Sequence, residues 1–285
     1  MGRTRKDCPV PGCTTKQLVR LPLHLSQVHK VNGESKKRWL NDNTETTLAP
    51  RHVEEKKTSK DAGGEWWKTQ SLTPFEPCSS ICISGPTGVG KTRWVYMLLR
   101  HLEGMYIDPP TRVMYCYGVY QPLFDEIERE IDNLTLCQGL PTQSEIEEFA
   151  DGRHGLIVLD DLCHAVLENR DMELLFTQGC HHRRLSVIFI TQNLYAQGKS
   201  ARTIALNVWY LVLFKNVRDK SQIATLGRQL YPGRTRTLTE AYEDCMREPY
   251  AYLVVDMSPS TDDKRRLRTR IFPNQDPVIY VPKSL

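Results

Sequence analysis

The chain has 285 residues, 40% hydrophobic and 25% charged, with room for one sizeable α/β domain and a small appendage. No apolar run approaches the ~18 residues of a membrane-crossing helix, and the basic start MGRTRKDCPVPGC lacks the apolar core of a secretory signal, so nine cysteines read as thiols or metal ligands rather than disulfides. The net charge of +4 is uneven: residues 1–40 hold nine Lys/Arg against two Asp/Glu, residues 261–285 hold six against three, and the stretch between is net −6. An acidic body with basic ends fits a catalytic domain with polyanion-contacting extensions, although basic tails also serve solubility alone.

In chain order, residues 1–32 form a small module with paired Cys and paired His. Cys8-x₄-Cys13-x₁₀-His24-x₄-His29 has the layout of a Cys₂His₂ zinc finger, with Leu18, Leu21 and Leu25 to fill its core. The Cys-to-His interval is shorter than the usual spacing of about twelve, and Pro22 makes the expected helix irregular. So short a module needs Zn²⁺ to fold, because it cannot bury enough apolar surface by itself. Arg3, Arg5, Lys6, Lys16, Arg20 and Lys30, followed by Lys36-Lys37-Arg38, suit phosphate contact. One finger reads only about three base pairs, so a protein-docking role fits the module as well. Residues 33–70 read as a polar linker, closing on Trp66-Trp67, which mark the return of core-forming sequence. Residues 71–260 are the expected catalytic domain, and 261–285 a basic C-terminal tail.

The apolar strand Ser80–Ser84 runs into GPTGVGKT, a complete G-x-x-x-x-G-K-[ST] loop, and a helix over Arg93–Leu102 leaves it. The backbone N–H groups of Gly85, Pro86's neighbours, Thr87, Gly88, Val89 and Gly90 are placed to wrap phosphate at a helix N-terminus, where the macrodipole favours anions. In this motif Lys91 reaches the β/γ-phosphates of ATP and the Thr92 hydroxyl ligates Mg²⁺. A strand at Val113–Tyr117, a helix at Gln121–Ile131 and a short strand at Leu134–Cys137 follow. Strand Leu156–Leu159 then ends in Asp160-Asp161, a position that suits one carboxylate for Mg²⁺ through water (Asp160) and one for the attacking water (Asp161).

A helix is expected over Leu162–Gly179. Next come His181-His182-Arg183-Arg184 and the strand Ser186–Ile190, tipped by Thr191-Gln192-Asn193. Gln192 is the candidate to sense the γ-phosphate or orient water; the bland alternative is an amide satisfying a strand end. Arg183 is the first candidate for an arginine acting on a neighbouring subunit's phosphates, with Arg184 and Arg202 behind it; a surface charge patch is the alternative. Cys180-His181-His182 has no second cluster to complete a metal site. A strand over Val208–Phe214, helices at Asp219–Leu230 and Leu238–Met246, and a strand at Tyr250–Val255 complete the alternation. Near-continuous apolar strands alternating with helices specify an α/β fold: a P-loop NTPase with a mostly parallel sheet covered by helices on both faces. The basic run Lys264, Arg265, Arg266, Arg268 and Arg270 is either a DNA-contacting tail or the solvated face of pairing strands, since Leu267, Ile271 and Val278–Val281 are apolar.

GPTGVGKT, LIVLDDL, HHRRLSVIFITQNLYAQGK and LNVWYLVLFKNVRDKSQIATLGRQLYP together resemble the packaging ATPases of Polinton/Maverick and adintovirus-like elements, within the FtsK–HerA class that also includes the poxvirus packaging ATPase. The resemblance spans roughly residues 75–285, and the TQN strand and the FKNVRDKSQIATLGRQLYP block carry most of its specificity. It implies a RecA/FtsK–HerA-like domain in a homo-oligomeric ring that hydrolyses ATP with Mg²⁺ and drives double-stranded DNA into a capsid built of partner proteins. It also implies an intracellular site of action, the host nucleus or a site of virion assembly, with no membrane. Carried over by position, Lys91 and Thr92 bind nucleotide and Mg²⁺, Asp160 and Asp161 are the acidic pair, Gln192 is the strand-tip glutamine and Arg183 the trans arginine. Many of these ATPases have Asp-Glu where this chain has Asp160-Asp161, so its water-activating carboxylate is one methylene shorter. The rival readings are a zinc-finger DNA-binding regulator on an inactive P-loop scaffold, and another P-loop motor such as a helicase or conjugation-type pump.

Overall fold

The structure is a computed structural model that describes residues 66–69 and 74–282 except 274, with backbone alone at 66–69, 178 and 181. The expected zinc ligands Cys8, Cys13, His24 and His29, the polar segment 33–65 and the side chains of Trp66 and Trp67 lie outside the described residues.

The described strands are β1 (Trp66–Thr69), β2 (Ser80–Ser84), β3 (Arg112–Tyr117), β4 (Leu134–Gln138), β5 (Gly155–Asp160), β6 (Leu185–Thr191), β7 (Tyr210–Phe214), β8 (Tyr252–Asp256), β9 (Leu267–Thr269) and β10 (Val278–Pro282). The helices are α1 (Lys91–Arg100), α2 (Leu102–Met105), α3 (Leu123–Glu130), α4 (Gln143–Phe149), α5 (Cys163–Glu168), α6 (Arg170–Leu174), α7 (Cys180–His182), α8 (Ala201–Asn207), α9 (Ser221–Leu230) and α10 (Arg236–Cys245). The strands join in one sheet in the order β1-β10-β9-β8-β7-β2-β6-β5-β3-β4. From β7 to β4 every neighbouring pair is parallel. From β7 outward through β8, β9, β10 and β1 every pair is antiparallel.

Both faces of the parallel block are covered, which explains why its strands are apolar without interruption. Ile81, Ile83, Leu156, Val158, Ile188 and Ile190 pack with Trp94, Val95 and Leu98 of α1 and Phe124 and Ile127 of α3. The alternate positions Cys82, Ile157, Leu159, Val187 and Phe189 pack on the other side with Val166 of α5, Ile223 and Leu226 of α9 and Leu238 of α10. The period-2 alternation of strand side chains thus fills two cores from one run of sequence.

Three local expectations are corrected. The helix expected over Leu162–Gly179 is interrupted at Asn169, whose backbone is extended (φ −103°, ψ 124°). Its side chain accepts from the Asp171 N–H at 2.7 Å and the Met172 N–H at 3.3 Å, capping a new helix start. A π-helical turn over Leu175–Gly179 then leads into α7. Helix α4 falls where no element was expected, although Thr142-x-x-Glu145 forms a reciprocal capping box that the sequence displays.

The third correction concerns the basic C-terminal stretch. It supplies β9 and β10 to the sheet, so the strand-pairing alternative holds for Leu267–Thr269 and Val278–Pro282. Arg268 is no solvent-facing cation: its guanidinium meets the Asp256 carboxylate at 2.7 Å, with both side chains 2% exposed. It also lies over the rings of Phe75 and Tyr210, at 5.8 and 5.7 Å from their centroids. Lys264 and Arg265 are exposed.

Candidate active site

All six parallel strands end on one edge of the sheet, and the loops leaving that edge build the cleft. β2 ends at Ser84 and feeds the glycine-rich loop. Gly88 (φ 82°) and Gly90 (φ 100°) take left-handed turns that glycine adopts without a steric cost. Gly85 is needed for a different reason: a Cβ there would stand 2.7 Å from Phe214 Cβ. Gly90 caps α1, so the first N–H groups of that helix open into the loop, and the positive end of its dipole with them. Lys91 Nζ donates to the carbonyl oxygens of Gly85 at 2.6 Å and Pro86 at 2.8 Å, which folds the side chain over the loop. Burial lowers the Lys91 pKa, while Asp160 and Asp161 act to raise it.

Asp160, at the end of β5, is 4% exposed. Its Oδ2 accepts from Thr92 Oγ1 at 3.0 Å and from Tyr115 Oη at 2.8 Å. Burial pushes its carboxyl above the ordinary aspartate range; the Tyr115 and Thr92 hydroxyls oppose that rise, Asp161 adds to it and Lys91 opposes it. The chain turns sharply at Asp161 (φ 56°), which exposes the second carboxylate. Gly118 makes room for that turn. Its N–H donates to the Asp160 carbonyl at 3.0 Å, and a Cβ on it would collide with the Asp161 carbonyl oxygen.

Because β6 lies between β2 and β5, its tip stands between the glycine loop and the acidic pair. Thr191 is in register with Ser84, and its carbonyl accepts from the Gly85 N–H at 3.3 Å. Gln192 follows, exposed. A cavity of about 760 Å³ is lined by Gly88, Lys91, Thr92, Asp160, Asp161 and Gln192. Thr87 and Gly90 also border it, whereas Gly85, Pro86 and Val89 do not. The paired Thr92 hydroxyl and Asp160 carboxylate are hard oxygen donors that suit Mg²⁺, which takes one or two protein oxygens and keeps several waters.

The arginine candidates lie elsewhere. Arg183 and Arg184 precede β6, so they sit on the opposite edge of the sheet, roughly 20 Å along a seven-residue strand from its tip. Arg183 pairs with Glu147 at 3.4 Å and Arg184 with Asp108 at 2.8 Å. Neither joins the cleft of its own chain. Arg202 is on the cleft side, in the first turn of α8, beyond the loop whose Ala196 and Gln197 line the cavity.

Sequence reasoning missed Tyr115 and Gly118, which hold the acidic pair, and it missed Cys163 and His164 among the residues that line the cleft. Tyr115 reads as one more buried aromatic in an apolar strand, and only the strand order brings its hydroxyl to Asp160. Gly118, directly after a strand, carried the signal of a close backbone approach. Among the described residues, no three His, Cys, Asp or Glu side chains gather to hold a metal, and no helix is long and apolar enough to cross a membrane. Cys180 is buried in the core, and burial pushes its thiol up to about 12.

No family model matches the chain. A tRNA dimethylallyltransferase of Lawsonia intracellularis is 34% identical over 91 residues, and the match covers 30% of this chain and 28% of that enzyme. Among solved structures, the chain is similar to B204, the DNA-packaging ATPase from Sulfolobus turreted icosahedral virus, with 10% identity and a TM-score of 0.43, over 74% of this chain and 100% of that one. It is also similar to ATPases 2 and 3 of EssC from Geobacillus thermodenitrificans, with 12% identity and a TM-score of 0.42, over 84% of this chain and 49% of that one. These likenesses are distant, and the chemistry of the cleft rests on this chain's own residues.

Proposed function

We propose that this chain is an ATP-hydrolysing motor that moves double-stranded DNA, working as a homo-oligomeric ring that packages a virus-like genome into a capsid. The observation that carries the reading is the convergence of Lys91, Thr92, Asp160, Asp161 and Gln192 on one cavity at the end of β2, β5 and β6. Three sequence segments remote from one another supply those groups, and a scaffold without turnover has no need of them together. The DNA-packaging part of the reading rests on the resemblance carried by the TQN strand and the FKNVRDKSQIATLGRQLYP block.

In this reading, the N–H groups of the loop and the Lys91 ammonium bind the β- and γ-phosphates. Thr92, and Asp160 through water, would hold Mg²⁺, which would supply charge neutralisation at the phosphate oxygens. Gln192 orients a water against the γ-phosphorus, and the exposed Asp161 carboxylate accepts its proton as the new P–O bond forms. The bond from phosphorus to the bridging oxygen breaks, leaving ADP and phosphate. Arg183 is kept as the arginine that acts in trans. It reaches only a neighbour whose cleft faces the far edge of this subunit's sheet, whereas Arg202 would act from the cleft side. The zinc module of residues 1–32 and the exposed Lys264 and Arg265 supply sequence-tolerant DNA contacts.

The test is ATP hydrolysis by the purified full chain with and without double-stranded DNA. Hydrolysis stimulated by duplex DNA, abolished by Lys91→Ala and slowed without loss of ATP binding by Asp161→Asn, is the expected result. Turnover that survives both changes refutes the site assignment, and hydrolysis indifferent to DNA refutes the motor. Mixing Arg183→Ala with Asp161→Asn subunits should restore part of the activity, and no recovery in a mixed ring moves the trans role to Arg184 or Arg202.

A further inference from the structure

The glycine loop has two flanks along the sheet edge. On one stand β6 and β5, with Gln192, Asp160 and Asp161. On the other stand β7 and β8. Because β8 is antiparallel to β7, with Tyr252 opposite Phe214, the start of β8 lies on the same edge as the loop. Just before that start, Tyr250 is 76% exposed and holds φ 56°, a conformation that bulky residues rarely adopt. Its ring reaches the loop: Cδ1 lies 3.6 Å from the place a Gly90 Cβ would occupy. Beyond the ring opens a second cavity of about 470 Å³, walled by Tyr250, Tyr252, Arg270, Gln275 and Asp276. Its wall is braced. Arg270 pairs with Glu248, and Gln275 Oε1 accepts from Tyr252 Oη at 3.2 Å and from the Phe272 N–H at 3.4 Å.

We propose that this second cavity is the nucleoside half of the site, taking the purine base and ribose of the bound nucleotide with the base stacked on Tyr250. The inference rests on the reading of residues 85–92 as the phosphate site. The groups suited to the terminal phosphate and to water all lie on the β5/β6 flank, so the terminal phosphate faces that way. A triphosphate chain is linear, so the nucleoside leaves the loop on the β7/β8 flank. An exposed aromatic face there gives a purine a stacking surface, and the stacked pair removes apolar area of both from water. The cavity volume falls in the range of small-molecule pockets. The strained backbone of Tyr250 is what aims an otherwise unpacked ring at the loop, and strain of this kind concentrates at ligand clamps.

The experiment measures equilibrium binding of ATP and of inorganic triphosphate, both with Mg²⁺, to the full chain and to Tyr250→Asn, Tyr250→Phe and Lys91→Ala. Asparagine tolerates the left-handed backbone, so Tyr250→Asn removes the ring without adding strain. The expected result is ATP binding weakened about tenfold or more in Tyr250→Asn, triphosphate binding unchanged, and ATP binding retained in Tyr250→Phe. Unchanged ATP binding in Tyr250→Asn overturns the proposal, as does equal weakening of both ligands. Wild-type protein that binds neither ligand, or binding indifferent to Lys91→Ala, overturns the phosphate-site reading itself and is told apart by the triphosphate arm.

Discussion

Replacing Tyr115 with phenylalanine deletes one hydroxyl and keeps the buried ring against Phe124, 5.2 Å between centroids. The lost group is the donor at 2.8 Å to Asp160 Oδ2, and the Thr92 hydroxyl at 3.0 Å remains. A hydrogen bond to a charged acceptor contributes about 1.5–3 kcal/mol, so the ionised form of Asp160 loses about that much relative to its protonated form. The sign follows from the direction of the shift. Burial raises the folded pKa of Asp160 above its unfolded value, so the cost of ionising it is absent below the ordinary aspartate range and grows as pH rises through the folded value. Tyr115→Phe enlarges that cost. Urea unfolding should therefore show the largest loss of stability, about 1.5–3 kcal/mol, near neutral pH, with a smaller loss in acid. The acid limb of ATP hydrolysis should move to higher pH in the same variant. An equal stability loss at both pH values, together with an unmoved acid limb, would refute the reasoning and leave Tyr115 a packing residue.

Gly118→Ala should force the Asp161 carbonyl aside and lower turnover while ATP binding, measured by equilibrium titration, stays near the wild-type value. Arg268→Met leaves the Asp256 carboxylate buried without its partner and should cost about 3–5 kcal/mol in urea unfolding, with part of the loss recovered by adding Asp256→Leu. Arg268 is buried, so folded Arg268→Met should keep the salt dependence of DNA binding, whereas replacing the exposed Lys264 and Arg265 with alanine should flatten it by about two phosphate contacts. Elemental analysis should find one Zn²⁺ per chain through Cys8, Cys13, His24 and His29, and full zinc retention by Cys13→Ser would sink that assignment.

The glycine loop and the acidic pair were legible because their signals are local: a motif of fixed spacing between an apolar strand and a helix, and carboxylates at a strand end. The α/β class followed from uninterrupted apolar strands such as Ile81–Ile83 and Leu156–Leu159. What stayed hidden depends on strand order, which no local pattern encodes. Tyr115 joins Asp160 because β3 and β5 are neighbours, and Tyr250 reaches Gly90 because β8 turns back along β7. Arg268 was misread for the same kind of reason. Lys264 and Arg265 of the same basic run are exposed, but the pairing of β9 between β8 and β10 buries this cation against Asp256. The break at Asn169 shows local side-chain capping overruling a helical pattern that continues across it.

The pairing of β1 with β10 joins the first described strand to the last, with Trp66 opposite Pro282 and Thr69 opposite Ile279. The chain therefore enters β1 beside the place where it leaves β10. A pull applied between those two points would meet the ladder one rung at a time and open it like a zip. A pull on the N-terminal segment against the nucleotide cleft takes another route, through four antiparallel strands, before it loads the parallel block. The ladder that closes the sheet at β1 is thus set apart from Lys91, Thr92 and Asp160 by the whole antiparallel half of the sheet.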